Sequence, residues 1–521
     1  MRDEEHALRV LAMNTLAFTV CFAAWMMNGV LVTFLVSNGI YSWDKAQMGW
    51  LIGIPVLAGS VARLPLGVLT DRFGGRIVFT LLILASAIPM YLMSYANTYA
   101  HFLLASLGFG LAGASFAVGI AYTSVWFVRQ HQGTALGIFG AGNAGAALTT
   151  LGGPTLLNAL TSNGTDMEGW RMLPQVYALG LVVTAGLFYL LTYSRKVQQP
   201  ANLTLLQRLE PLKYVRVWRF GLYYFLVFGG FVALAQWLVP YYVNVYAMSL
   251  ATAGLLASIF SLPSGVIRAL GGWMSDRWGA RTIMYLVLGS CAVLFLLLIV
   301  PRMDIRSPGE GVMALKAGTV TEVTSTKIAV DGYSYPLRTP RGTSEVERDS
   351  RMLIFPTFSS WQEPVIKVGD RVERRQLLAR GTTHIYFQAN VWIFTFFVFA
   401  AGIMMGIGKA AVYKHIPDYF PTQVGVVGGM VGVLGGLGGF VGPVIFGYLL
   451  KAAGIWTTTW MFLALVSLVS LVWMHLTIQR MTRRAAPGLT HRFEAEAGTY
   501  RGEAASGLRD LASSSTLGQN Q

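Results

Sequence analysis

The chain has 521 residues, of which 54% are hydrophobic and only 12% charged. Ordinary soluble domains carry about twice that charge, so the composition excludes a soluble enzyme or binding module. The net charge of +15 would suggest nucleic acid in a soluble protein, but in a chain of long apolar runs it follows from Lys and Arg collecting on one side of a membrane, and no nucleic-acid partner is expected.

Apolar runs of roughly 18 or more residues read as membrane-spanning helices. About twelve are predicted, over 8–37, 47–70, 77–96, 99–127, 134–160, 171–193, 217–246, 250–274, 282–300, 389–413, 422–451 and 456–478. The fold class is therefore an all-α polytopic membrane protein with two six-helix halves. The expected domains are an N-terminal bundle (1–196), a cytoplasmic linker (197–216), helices seven to nine (217–300), a β-rich insert (301–388), helices ten to twelve (389–480) and a disordered tail (481–521). The first span lacks a small-residue cleavage site, so it reads as a span and not a signal peptide. Arg72, Arg76, Arg129, Arg195, Lys196, Arg277, Arg281, Lys414 and Arg480 fall on one side, which places both termini in the cytoplasm. Cys21 and Cys291 lie inside spans, so no disulfide framework is expected.

A stretch in the second span recurs in the eighth. A shift of 205 positions carries Arg63 onto Arg268, Gly67 onto Gly272, Asp71 onto Asp276 and Arg76 onto Arg281. Arg63 and Arg268 stand deep in apolar helices. No Asp or Glu lies well inside any span. A charge inside a membrane is costly and by default functional. Gly59 and Gly67 flank Arg63 at four-residue spacing, as Ser264 and Gly272 flank Arg268, so each guanidinium has small neighbours on its helix face. With no carboxylate available, the partner is a backbone carbonyl or an anion. Planar guanidinium groups suit planar oxyanions. Lys409 is an extra cation near the end of the tenth span, where snorkelling to the interface is expected. Glycine faces run along the fifth span (Gly140, Gly142, Gly145) and the eleventh (Gly428, Gly432, Gly435, Gly439), where they permit close helix approach or sliding.

In the insert, β-branched residues alternate over 318–323 and 327–332, and short strands are predicted. The segment Val365–Val372 with Gln376–Gly381 resembles a lipoyl/biotinyl-type barrel-sandwich domain. The Met-Lys-Met around a prosthetic lysine is missing at Lys316, so a structural or docking role, with a partner for the insert, is expected instead.

The loops Asp71-Arg72-Phe73-Gly74-Gly75-Arg76 and Asp276-Arg277-Trp278-Gly279-Ala280-Arg281 resemble the signature of the major facilitator superfamily. With the paired arginines, Gly140-Ala141-Gly142-Asn143-Ala144-Gly145 and the run ending Gly438-Gly439-Phe440-Val441-Gly442-Pro443, the chain resembles the nitrate/nitrite porters of that superfamily. The resemblance implies the major facilitator fold, with the insert periplasmic between helices nine and ten. It also implies a monomer in a bacterial inner membrane, with nitrate and nitrite as substrates and no cofactor or metal. The substrate residues it implies are Arg63, Arg268, Asn143, Tyr224, Phe228 and Phe116. It makes Asp71, Arg72, Arg76, Asp276, Arg277 and Arg281 a conformational latch.

Nitrate entering against an inside-negative potential costs about 2.3 kcal/mol per 100 mV. The spans offer no carboxylate for proton coupling, so nitrate/nitrite antiport is expected. Nitrate/proton symport is the alternative within the family, and a membrane-anchored sensor using the insert is the alternative outside it. Another superfamily substrate is a further option, although paired arginines argue against cationic drugs. No metal cluster, nucleophile triad or phosphate loop suggests an enzyme.

Overall fold

The computed structural model describes residues 2–127, 129–195, 210–300, 303–339, 357–387, 389–420 and 424–485. Its first half contains α1 (Arg2–Trp25), α2 (Met27–Ser37), α3 (Lys45–Phe73), α4 (Gly75–Leu92), α5 (Tyr99–Phe109), α6 (Ser115–Trp126), α7 (Arg129–Gly140), α8 (Gly145–Leu160) and α9 (Met172–Leu191). The second half contains α10 (Val215–Tyr224), α11 (Phe231–Val245), α12 (Leu250–Val266), α13 (Arg268–Trp278), α14 (Ala280–Leu298), α15 (Val391–Tyr419), α16 (Val424–Ala453) and α17 (Thr458–Ala485).

Among the described residues, ten helices are long and apolar enough to cross a membrane, or eleven if α12 and α13, bent by 45°, form one span. The sequence reading expects twelve. The run not counted is α7–α8, which opens on Arg129, Gln130, His131 and Gln132 and is split by a 3-10 turn at Ala141–Ala144. Boundaries also move: α1 begins at Arg2, α15 continues to Tyr419, and α17 to Ala485. The linker expected over 197–216 lies mostly outside the described residues, whose nearest element is a 3-10 turn at Glu210–Lys213. The tail beyond 485 lies outside them as well.

Five of the helical runs are interrupted. Met26 separates α1 from α2, a 3-10 segment (Gly110–Ala114) separates α5 from α6, and the 3-10 turn just described separates α7 from α8. A π-helical turn (Phe225–Gly230) joins α10 to α11, and Ile267 separates α12 from α13 four residues after Pro263. Proline removes a helix hydrogen bond and favours such a break.

Between α14 and α15 stands the β insert. Strands β1 (Met303–Met313), β7 (Leu377–Phe387) and β5 (Thr357–Pro364) form one sheet in the order β1-β7-β5. Strands β2 (Gly318–Val323), β3 (Lys327–Val330), β4 (Tyr333–Pro336) and β6 (Arg371–Val372) form another, ordered β4-β3-β2-β6. The alternation read from the sequence points Ile328 and Val330 into a small core with Val320, Tyr335, Val372 and Leu378. Lys316 sits exposed on the turn between β1 and β2. Met303 pairs with Phe387 at the membrane end, so the insert leaves and rejoins the bundle at one point.

The two halves meet chiefly through α3 against α16 and α8 against α12, where a methyl group at Gly49 or Gly254 would strike the Pro443 or Thr150 carbonyl, and other glycines pack the helices within each half. A methyl group at Gly145 would strike the Thr19 carbonyl, one at Gly142 the Phe18 ring, and one at Gly435 the Tyr224 ring. At Gly439 it would lie 2.7 Å from Val232. Gly140 and Gly428 are roomier, with nearest contacts at 3.5 Å to Arg268 and Tyr413. Gly429 faces open space.

Two predictions follow from this packing. Gly435→Ala lowers stability by about 1–3 kcal/mol through overpacking, read as a fall in thermal midpoint, whereas Gly429→Ala leaves the midpoint unchanged or raised; equal midpoints for the two variants would refute the assigned contacts. Replacing 306–384 by a short turn leaves the helical part folded, because antiparallel partners at the insert's base lie only ~5 Å apart; size-exclusion and melting profiles of the excised protein check this.

Candidate functional site

The interrupted helices converge on one aromatic ring. Phe116, on the first turn of α6, lies 5.6 Å from the Arg63 guanidinium and 5.3 Å from that of Arg268. The two arginines of the repeat therefore share a ring. Phe228, in the π turn, stacks on Phe116 at 6.3 Å and on Tyr224 at 5.0 Å, and lies 5.2 Å from Arg63. The result is a slot with aromatic walls and cationic sides. Cation–π contacts of this kind hold a guanidinium in an apolar bundle without neutralising it.

The hydrogen bonding of the two arginines differs. Arg63 is 4% exposed and is tied to backbone. Its Nη1 donates to the Gly432 carbonyl of α16 at 2.6 Å, and Nε and Nη2 donate to the Gly113 carbonyl at 3.4 and 3.5 Å. Gly113 belongs to the 3-10 break before α6. Arg268 opens α13, and its buried Nη1 has no hydrogen-bond partner. Asn143, in the 3-10 turn between α7 and α8, is 0% exposed, and neither end of its amide is bonded. The Tyr224 hydroxyl is buried without a well-formed hydrogen bond, and the Tyr413 ring packs edge-on against it at 5.0 Å. Among the described residues no Asp or Glu is buried. A buried polar group without a partner costs about 1–3 kcal/mol, so this cluster of donors favours an acceptor.

Lys409 does not snorkel. It is 0% exposed, its ammonium 3.1 Å from the centre of the Phe231 ring, with Ser264 Oγ at 3.2 Å and the Ser264 carbonyl at 3.4 Å. The expected helix end at 413 placed it near the interface. The true end at Tyr419 lies ten residues on, about 15 Å along the axis, beyond a lysine's reach. Ser264 accordingly packs against Lys409 and against Gly406 of α15. Gly59 likewise admits the 3-10 segment Gly110–Ala114 and Trp25, while Gly67 and Gly272 are open.

Sequence reasoning also missed Tyr413 and Trp25. Tyr413 lies 5.6 Å from Arg268 and donates to the Gly428 carbonyl at 3.1 Å. Its spacing of four from Lys409 puts both on one helix face, which was the available signal. Trp25 lies 5.9 Å from Arg63 and donates to the Pro55 carbonyl at 2.8 Å; an indole in an apolar run gives no such signal.

The sequence profile of the Major Facilitator Superfamily matches residues 15–318 and 377–514. A protein of Thermus thermophilus described as "Probable nitrate/nitrite antiporter NarK1" is 38% identical over 95% of this chain and 96% of its own length. A "Nitrite extrusion protein" of Bacillus subtilis is 24% identical over 89% of this chain and 94% of its own. This chain belongs to the nitrate/nitrite porter family of the major facilitator superfamily. It is a membrane transporter and not an enzyme. In fold it resembles a bacterial homologue of the lysosomal transporter Spinster in an inward-facing, occupied conformation, with a TM-score of 0.58 at 14% identity, covering 91% of this chain and 97% of that one. The nucleoside transporter NupG gives 0.56 at 12% identity, covering 91% and 98%.

In this porter the charged loops opposite the insert bond within their own halves. Arg76 donates twice to the Tyr189 carbonyl at the end of α9, at 3.0 and 2.6 Å. Asp276 pairs with Lys414 at 2.6 Å, and Arg281 donates to the Tyr419 hydroxyl at 3.1 Å. Arg72 and Arg277 lie over Phe73 and Trp273. The side chain of Asp71 lies outside the description. At the other end, on the insert's face, side chains bond across the halves. Lys451 pairs with Asp44 at 2.7 Å, Lys45 donates to Asn244 at 3.4 Å, and Trp50 donates to Tyr448 at 3.3 Å. Asp44 also caps α3 through Gln47. The Lys451 ammonium and the Gln47 N–H hold the Asp44 carboxyl below the usual carboxylate range.

Because that pKa is lowered in the paired state, the ion pair's contribution is complete above the ordinary carboxylate range and is lost as pH falls through the lowered value. Asp44→Asn, or acidification of the wild type, therefore loosens closure on the insert's face. Thiol labelling of Trp50→Cys, with Cys21 and Cys291 changed to Ser, rises in Asp44→Asn relative to the protein that keeps Asp44, both labelled at neutral pH, where the reacting thiolate is present; unchanged labelling would show that the pair does not hold this face shut.

Proposed function

We propose that this protein moves nitrate and nitrite across a bacterial cytoplasmic membrane by alternating access, as a nitrate/nitrite antiporter. The observation that carries the reading is the Phe116 ring that two guanidinium groups share, with Arg268 Nη1, the Tyr224 hydroxyl and, on the turn between α7 and α8, the Asn143 amide buried without partners and no buried carboxylate among the described residues. A flat oxyanion supplies acceptors to the donors and lies between the Phe116 and Phe228 faces. Charge-assisted hydrogen bonds of this kind contribute about 1.5–3 kcal/mol each. The relatives' descriptions name the same anions.

The empty site closes with difficulty, because its charges would be desolvated without partners. A bound anion removes that penalty, so the loaded carrier switches and exchange results. On this reading the α7–α8 run is the remaining span, which makes twelve helices in two six-helix halves, a monomer with both termini in the cytoplasm. The loops holding Asp71, Arg72, Arg76, Asp276, Arg277 and Arg281 re-pair between halves as a latch when the insert's face opens. The glycine faces on α7–α8 and α16 are where the halves slide.

One observation favours the second reading, nitrate/proton symport. Lys409 is a fully buried amine bonded to a serine and facing Arg268 without a counter-charge. Unlike an arginine guanidinium, a lysine amine can give up and take back a proton, so it is the group beside the site that a proton-coupled cycle would use.

Proteoliposomes separate the two. Nitrate efflux is fast into nitrite or nitrate and slow into anion-free buffer if exchange is obligatory; equal rates would sink antiport. Arg63→Lys and Arg268→Lys keep the charge but lose the planar fork, and exchange falls about 10- to 100-fold, the equivalent of one charge-assisted hydrogen bond. Normal transport by both variants removes the site. Proton uptake that accompanies nitrate and vanishes in Lys409→Met moves the assignment to symport.

A further inference from the structure

A second cationic cluster lies within the second half, away from the slot, on the face opposite the insert. Here the ends of α10, α14, α15 and α17 enclose a cavity of about 20 Å³ lined by Arg219, Phe220, Tyr223, Arg281, His415 and Tyr419. Arg219 is 6% exposed and has no hydrogen bond or ion pair among the described residues; its guanidinium only leans on Phe220 at 5.6 Å. Arg216 and Arg281 act on it electrostatically with the same sign. Arg281 has one bond, to Tyr419. The Tyr223 hydroxyl is buried without a partner. His415, stacked flat on Phe220 at 5.5 Å, is also buried. The carboxylate acting on this group is Asp418, which is exposed and acts on His415.

The internal repeat shows that this arrangement is not required by the fold. The 205-residue shift relates Arg281 to Arg76 and Arg219 to Asn14. Arg76 is satisfied by the carbonyl at the end of α9. Asn14 is neutral and bonds to the Gly119 carbonyl at 2.9 Å and to Thr123 Oγ1 at 2.6 Å. In the first half the donors at this position find acceptors, although Asn14 Oδ1 stays without a partner. The second half puts a cation there and leaves it, with its neighbour, short of acceptors.

We infer that this cavity binds one oxyanion group, with Arg219 and Arg281 as charge partners and Tyr223 as hydroxyl donor. A void of this size admits about one water-sized group, so a single oxygen of the oxyanion enters and the rest of the group stays at the mouth. The same chemistry is offered by the phosphate of an anionic lipid in the adjoining leaflet and by a free inorganic anion. Four helix ends are then tied together at one point, so occupancy stabilises the second half.

The experiment uses the full chain in phosphatidylcholine nanodiscs and reads the thermal midpoint. One arm adds phosphatidylglycerol to the disc. The other titrates inorganic phosphate, in the Arg268→Gln background so that the slot is weakened. A rise in the first arm identifies the lipid, and a saturable rise in the second identifies the free anion. Either rise must shrink by at least half in Arg219→Gln. Tyr223→Phe, which removes only a hydroxyl, weakens the apparent affinity about 3- to 10-fold, the equivalent of one hydrogen bond. No rise in either arm, or equal rises with and without Arg219, overturns the site. If Arg219→Gln does not fold, unchanged affinity in both Arg281→Gln and Tyr223→Phe overturns it.

Discussion

The structure is governed by an imbalance: Arg63 and Lys409 are buried in an apolar bundle, Arg268 is half-buried beside them, and no described acid is buried with them. Ion pairing, the usual answer to a buried charge, is absent from the slot. The bundle answers with aromatic faces and backbone carbonyls instead. Phe116 serves both arginines, Phe231 covers Lys409, and the carbonyls of Gly113 and Gly432 receive Arg63. These contacts make the charges tolerable without cancelling them. The bundle therefore keeps a positive field where the two halves meet, which is a condition an anion can use and a cation cannot.

The breaks in the helices follow from the same constraint. A regular helix spends its carbonyls on itself, whereas 3-10 and π segments alter the pairing. The break at Gly110–Ala114 presents Gly113 to Arg63, and the break at Ala141–Ala144 carries Asn143. The π turn brings Phe228 over Phe116. Glycine on α16 is part of this solution, because only a bare backbone lets the Tyr224 ring and the Arg63 guanidinium come so close to it. Discontinuous helices near the centre of a repeat-built bundle are a recurring feature of secondary transporters.

The sequence exposed those parts of this arrangement that contrast with their surroundings. Arginine in an apolar run stands out, and the 205-residue repeat joined Arg63 to Arg268. Period-two alternation likewise disclosed the insert. Features that depend on small displacements were hidden. Lys409 was misread because an error of six residues in a helix end moves a side chain from interface to interior. Tyr413 and Trp25 were missed because an aromatic residue in a membrane helix is ordinarily packing. The small residues beside the arginines were seen, but Gly59 and Ser264 turned out to accommodate neighbouring side chains. Spacing along one helix cannot say which element fills the room it makes.

The bond from Arg63 to the Gly432 carbonyl links mechanism to fold. It runs from α3 in the first half to α16 in the second, across the boundary that rocking must shear. On the insert's face the same two helices are joined by Asp44 and Lys451. Opening that face separates α3 from α16, and the guanidinium then loses its carbonyl. The buried guanidinium is then left with only the long bonds to Gly113, too little for a desolvated charge, so on the proposed mechanism the empty protein resists the change. An anion on the slot offers Arg63 a replacement acceptor and Arg268 the one it lacks. Under the proposed exchange, coupling therefore needs no titration step: the substrate stands in for a hydrogen bond that the moving halves must break.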